Sequence, residues 1–231
     1  MDLFTALLYG VGTGLPLVVG ATVGVYLRPS QRITAVTLAF ASGSLITGLS
    51  FELFEPAFQT AGLGLTTGSL LVGTGFYVGV RYVASVRTDT DGVPVFIAVV
   101  IDGLAENITL GVVLIGGGPA GGPLALLAGI AANNLPEAVA GTSEMTSSGR
   151  SAKWVLGLWT AAAIGLILAV VIGYAAFAGI SETSLALVRG VGGGAVLATL
   201  AVEIMPDAYD SGGPAVAFAT ALGLIATFAL L

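Results

Sequence analysis

The residues in this sequence that could do chemistry are acids and amides set inside apolar runs. Residues 99–111 read VVIDGLAENITLG, with Asp102 and Glu106 four apart and Asn107 beside them. On a helix four residues are about one turn, so the two carboxylates share a face. Residues 131–141 read AANNLPEAVAG, where Asn133 and Glu137 repeat the four-residue spacing and Asn134 sits alongside. Glu144 continues the Glu137 face seven residues further on. Pro136 has no N–H for the carbonyl of Ala132, which predicts a kink there and a freed backbone oxygen. No Lys or Arg lies within ten residues of Asp102 or Glu106. Uncompensated carboxylates in an apolar medium must protonate or take up a cation. Two carboxylates from one helix and a carboxylate plus amides from another make an oxygen-rich cage suited to a divalent cation. A lone acid can be a structural donor and a lone Asn can glue helices together, but three acids and two Asn at matched spacings exceed that reading.

The elements that carry these residues must cross a membrane. Charged residues are 9% of the 231 and hydrophobic ones 56%, with a mean hydropathy of +1.02. A soluble domain carries about 25% charge. The chain has no Cys and no His, which excludes disulfides, thiolate metal sites, imidazole ligands and histidine bases. A net charge of −6 argues against nucleic acid as a partner. Punctuation by polar, Gly and Pro residues predicts an all-α polytopic membrane protein of eight transmembrane helices in one domain. They cover residues 3–27, 33–54, 63–83, 93–116, 121–147, 154–180, 185–205 and 213–231. The first stretch follows Asp2 and has no basic residue before Arg28, so it reads as a retained helix and not a leader.

Basic residues orient the spans. Arg28 and Arg32, Arg81 and Arg87, and Arg150 and Lys153 fall in alternate loops, and only Arg189 falls on the other side. The positive-inside rule then makes those loops cytoplasmic, with both termini outside and the cell membrane as the location. Trp154 and Trp159 read as interface anchors, and Asp89 and Asp91 as solvated loop acids.

An internal repeat relates predicted helices two and seven. At an offset of 151, Gly43 meets Gly194, Leu49 meets Leu200, Glu52 meets Glu203, Ala57 meets Ala208 and Gly62 meets Gly213. Helices an odd number of spans apart run in opposite directions. The arrangement expected is therefore 3+2+3, with inverted three-helix repeats around a central pair, as in secondary transporters. Glu52 and Glu203 are candidate stations on a cation pathway, as are Asn107 and Glu144. Glu55, Asp207 and Asp210 read as helix-end charges meeting water, and Ser42, Ser44 and Thr109 as packing hydroxyls.

At these residues the chain resembles the ZRT/IRT-like (ZIP) divalent-metal transporters. Motifs of that family take the form H-N-x-P-E-G in helix four and [HQN]-[ND]-x-P-E in helix five. Prokaryotic variants carry D-G-x-P-E-N and N-L-P-E. Here they stand as Asp102-Gly103-Leu104-Ala105-Glu106-Asn107 and Asn133-Asn134-Leu135-Pro136-Glu137. The resemblance implies transport of divalent metal between helices four and five, as uptake, with Asp102, Glu106, Asn133, Asn134 and Glu137 as metal ligands. Zinc, manganese, iron(II) or magnesium would be the substrate, with no organic cofactor, no enzymatic activity and a homodimer as a candidate assembly. Gly103 and Ala105 depart from the family's Asn and Pro, and helix six offers no acid, so one good metal position is expected. Absent histidines favour harder cations, whereas the family favours zinc-like metals. The alternative reading is a proton or other cation exchanger or channel built on the same acids.

Overall fold

The computed structural model describes residues 2–85, 93–115 and 123–231, and among these it is helical with no strands. Arg87, Asp89, Asp91 and the predicted turn at 116–122 lie outside the described residues. Among the described residues nine α-helices follow in order: α1 Leu3–Tyr26, α2 Gln31–Gly48, α3 Glu55–Ser85, α4 Val93–Ile115, α5 Leu124–Ser147, α6 Ala152–Phe177, α7 Glu182–Thr199, α8 Met205–Gly212 and α9 Val216–Phe228. Two π-helical stretches, Leu49–Phe54 and Leu200–Ile204, join α2 to α3 and α7 to α8.

Six helical stretches among the described residues are long and apolar enough to cross a membrane. The count differs from the eight expected, for two local reasons. Predicted helices two and three form a helical stretch, Gln31–Val83, broken in dihedral angle only at Gly62 (φ 75°, ψ 171°). The predicted last helix shortens to the 13 residues of α9. Predicted helix seven also runs longer than 185–205, because α7 continues through its π-helical stretch into α8.

Local signals explain where the helices begin and turn. Ser30 and Ser181 cap α2 and α7, each side chain accepting the backbone N–H three residues on. Both helices end 18 residues later, and both pass directly into a π-helical turn, which carries Glu52 in one case and Glu203 in the other. Both then reach a glycine with left-handed φ, Gly62 at 75° and Gly213 at 67°, a region that L side chains avoid. Every one of these pairs is separated by 151 positions.

Packing follows the same correspondence. α2 packs on α9, and α3 on α7. A Cβ added at Gly43 would come within 1.9 Å of the Thr220 carbonyl, and one at Gly194 within 2.1 Å of the Leu70 carbonyl. Missing side chains at both positions let backbones touch. α1 packs on α5 and α6, and α6 on α4, while α2 also lies against α5 and α4 against α7. α4 and α5 meet each other over a smaller area, so their relative position is set by the helices around them.

Trp159 corrects the expectation of an interface anchor. It is 0% exposed, its ring edge-on to Phe96 at 5.4 Å between centroids and its indole N–H directed at Met145 Sδ. Trp154 is exposed, with the Arg150 guanidinium over its ring.

Replacing Gly43 or Gly194 by Ala should lower stability by about 1–3 kcal/mol, the usual range for overpacking. Gly64→Ala, at a site with nothing near the added methyl, should have little such effect. Thermal unfolding in detergent measures the three, and equal midpoints would contradict the tight crossings.

Candidate cation site

Asp102, Glu106 and Asn107 come from α4, and Asn133, Asn134 and Glu137 from α5. All but Glu137 are buried, and Glu106 is 0% exposed. Among the described residues, seven buried side-chain polar atoms have no hydrogen-bond partner. Five of them are oxygens of this group: Glu106 Oε1 and Oε2, Asn133 Oδ1, Asn134 Oδ1 and Glu137 Oε2. Their concentration on α4 and α5 marks a candidate site, because each buried acceptor without a donor costs about 1–3 kcal/mol, more when charged. Glu137 lies within electrostatic reach of Glu106 and Asp102, and Glu106 within reach of Asp102.

Hydrogen bonds elsewhere explain why these oxygens are the free ends. Asn134 Nδ2 donates to the Thr13 carbonyl of α1 at 2.8 Å, and Asn133 Nδ2 donates to Glu137 Oε1 at 2.8 Å. Each amide is thereby held with its nitrogen occupied and its oxygen open. Asn107 differs: Oδ1 accepts from the Thr13 hydroxyl and Nδ2 donates to the Gly103 carbonyl, so it links α1 to α4 and leaves no oxygen free. Thr13, unnoticed in the sequence as one hydroxyl in a Gly-rich helix, therefore supports both α4 and α5.

Asp102 takes a different direction from its neighbours. The hydroxyl of Tyr77, on α3, lies 2.7 Å from Asp102 Oδ1 and also bonds Glu203 Oε1 in the π-helical turn that follows α7. Arg81, one turn beyond Tyr77, forms an ion pair with Glu203. Asp102 thus belongs to a four-residue cluster of α3, α4 and α7 beside the open oxygens. Sequence spacing reads Arg81 only as a topology marker, and Tyr77 carries no signal beyond a phenol in an apolar run, four residues before that arginine. No group of three or more Asp or Glu converges as a ligand set among the described residues. The open oxygens belong to two carboxylates and two amides.

The remaining candidates serve at the edges. Glu52 is 2% exposed and accepts the backbone N–H groups of Ala125 and Leu126 at 3.0 and 2.7 Å. It therefore caps the start of α5 from another helix, where Pro123 offers no side-chain cap. Both its oxygens are engaged. Arg189 plays the converse part, directing Nη2 at the Val113 carbonyl in the last turn of α4, at 3.4 Å. Glu144 is exposed and lines an open cavity of about 440 Å³ together with Gln31, Ser143, Asp207 and Asp210. Ser42 and Thr109 bond backbone carbonyls of their own helices, and Ser44 bonds Thr227 across to α9.

Chemically, five buried oxygens with no donor can hold a cation or share protons. Comparison with protein-family models and with curated protein sequences returned no match.

Glu52→Gln keeps the shape but turns an amide nitrogen toward a backbone N–H. It should lower stability by about 2 kcal/mol, the scale of a charge-assisted hydrogen bond. Thermal unfolding of the purified protein reads this loss, and an unchanged midpoint would show that Glu52 does not cap α5.

Proposed function

We propose that this chain transports divalent metal cations across a membrane through the Glu106–Glu137 site, as its resemblance to the ZIP transporters implies. One observation carries the reading: five unpartnered buried oxygens, from two carboxylates and two amides, gathered between two helices. Two carboxylates neutralise one divalent charge, and the Asn oxygens replace part of its hydration shell. An all-oxygen set suits manganese, iron(II) or magnesium on chemical grounds, and zinc remains a candidate through the resemblance.

The eight-span, 3+2+3 arrangement belongs to the same reading. It is supported by the break at Gly62, which divides the stretch Gln31–Val83 into two lengths suited to spanning, and by the paired caps, π-helical turns and left-handed glycines 151 residues apart. In this arrangement α1 to α3 and α6 to α9 flank the central pair. Both termini lie outside the cell membrane, and the cavity lined by Glu144, Asp207 and Asp210 opens on the cytoplasmic side. Transport requires no covalent chemistry: ligand oxygens exchange for water on one face and release on the other.

Glu106→Gln and Glu137→Gln should each reduce Mn²⁺ binding by at least about a hundredfold, on the scale of losing one charged partner of a buried ion. Titration calorimetry measures binding, and size-exclusion profiles check that both variants remain folded. Wild-type protein in proteoliposomes should accumulate the metal. Proton flux with no metal dependence would contradict the proposal and favour a proton exchanger using the same acids.

A further inference from the structure

The Asp102 cluster deepens this reading and rests on it. Asp102 is 1% exposed and sits one helical turn from Glu106, on the same face of α4. From there its carboxylate could join the open oxygens, yet it bonds Tyr77. Tyr77 is itself 2% exposed and reaches both Asp102 and Glu203 with one hydroxyl. A phenol has one proton to donate and cannot serve two carboxylates at once. Arg81 resolves the competition, because its guanidinium pairs with Glu203 and satisfies that charge. With Glu203 anchored in this way, the hydroxyl is held between the two acids and stays within hydrogen-bond distance of Asp102.

We propose that Tyr77 is a positioning residue for the cation site: held by the Arg81–Glu203 pair, it keeps the Asp102 carboxylate out of the Glu106–Glu137 oxygens and so limits how tightly a divalent cation is bound. Ligand charge count sets the affinity of oxygen sites for hard divalent cations. Two carboxylates give a neutral complex with a divalent ion. A third gives a negative one that holds the ion more tightly and releases it more slowly. A transporter needs the looser complex. Tyr77 and Arg81 stand on α3 and Glu203 follows α7, whereas Asp102 belongs to α4, so the restraint joins the packed α3–α7 pair to the neighbouring α4.

The test is a mutant cycle read by Mn²⁺ calorimetry and by uptake into proteoliposomes. Tyr77→Phe removes the donor and keeps the ring. It should tighten Mn²⁺ binding by about tenfold, lower the KM for uptake and lower the maximal rate. The gain should vanish in Tyr77→Phe/Asp102→Asn, because it is made by Asp102. Arg81→Gln leaves Glu203 to compete for the phenolic proton, so it should shift affinity in the same direction, which also covers poor folding of the first variant. A purely structural role for Tyr77 predicts weaker binding in both single variants, with or without Asp102. That result, or an affinity that neither variant moves, would overturn the proposal while leaving the cation site standing. Absence of Mn²⁺ binding in the wild type and in every variant would overturn the site itself, and this inference with it.

Discussion

Buried oxygen atoms that accept and cannot donate are the constraint around which the molecule is arranged. In a low-dielectric interior such atoms are costly unless a donor or a cation meets them. Elsewhere the described chain satisfies its buried polar groups almost completely, mostly by returning hydroxyls to backbone carbonyls one turn away. Between α4 and α5 it does the opposite. The amide nitrogens of Asn133 and Asn134 are bonded and their oxygens are left open next to two carboxylates. That asymmetry is what a cation would complete.

The surrounding helices hold α4 and α5 from their ends and their sides. Glu52 places negative charge at the start of α5, and Arg189 places positive charge at the end of α4, each matching the sign that the helix dipole favours. Thr13 binds one amide from each central helix, fixing both to α1. Close backbone contacts at Gly43 and Gly194 tie α2 to α9 and α7 to α3. Glu52 and Glu203 occupy matching positions and have different duties. The first is consumed as a cap, and the second joins Arg81 and Tyr77 beside the site.

Much of this was legible from spacing. Four-residue separations put Asp102 with Glu106 and Asn133 with Glu137 because a helix repeats every 3.6 residues, and the offset of 151 is reproduced in caps, π-helical turns and glycines. What stayed hidden depends on tertiary approach. Tyr77 and Glu203 are 126 residues apart, and nothing local marks their meeting. Glu52 looks like any acid near a span end until α5 is seen to begin against it. Trp159 was misplaced because α6 is apolar all round, so its sequence does not show which side faces the core. The division expected between residues 54 and 63 is reduced to the left-handed Gly62, because the helical stretch continues through its π-helical turn.

The most direct test of the site is anomalous diffraction from crystals grown with Mn²⁺. A peak coordinated by Glu106, Glu137 and the side-chain oxygens of Asn133 and Asn134, at about 2.1–2.3 Å, is the expected result. No peak there, with manganese bound only in the cavity of Glu144, Asp207 and Asp210, would contradict the central claim.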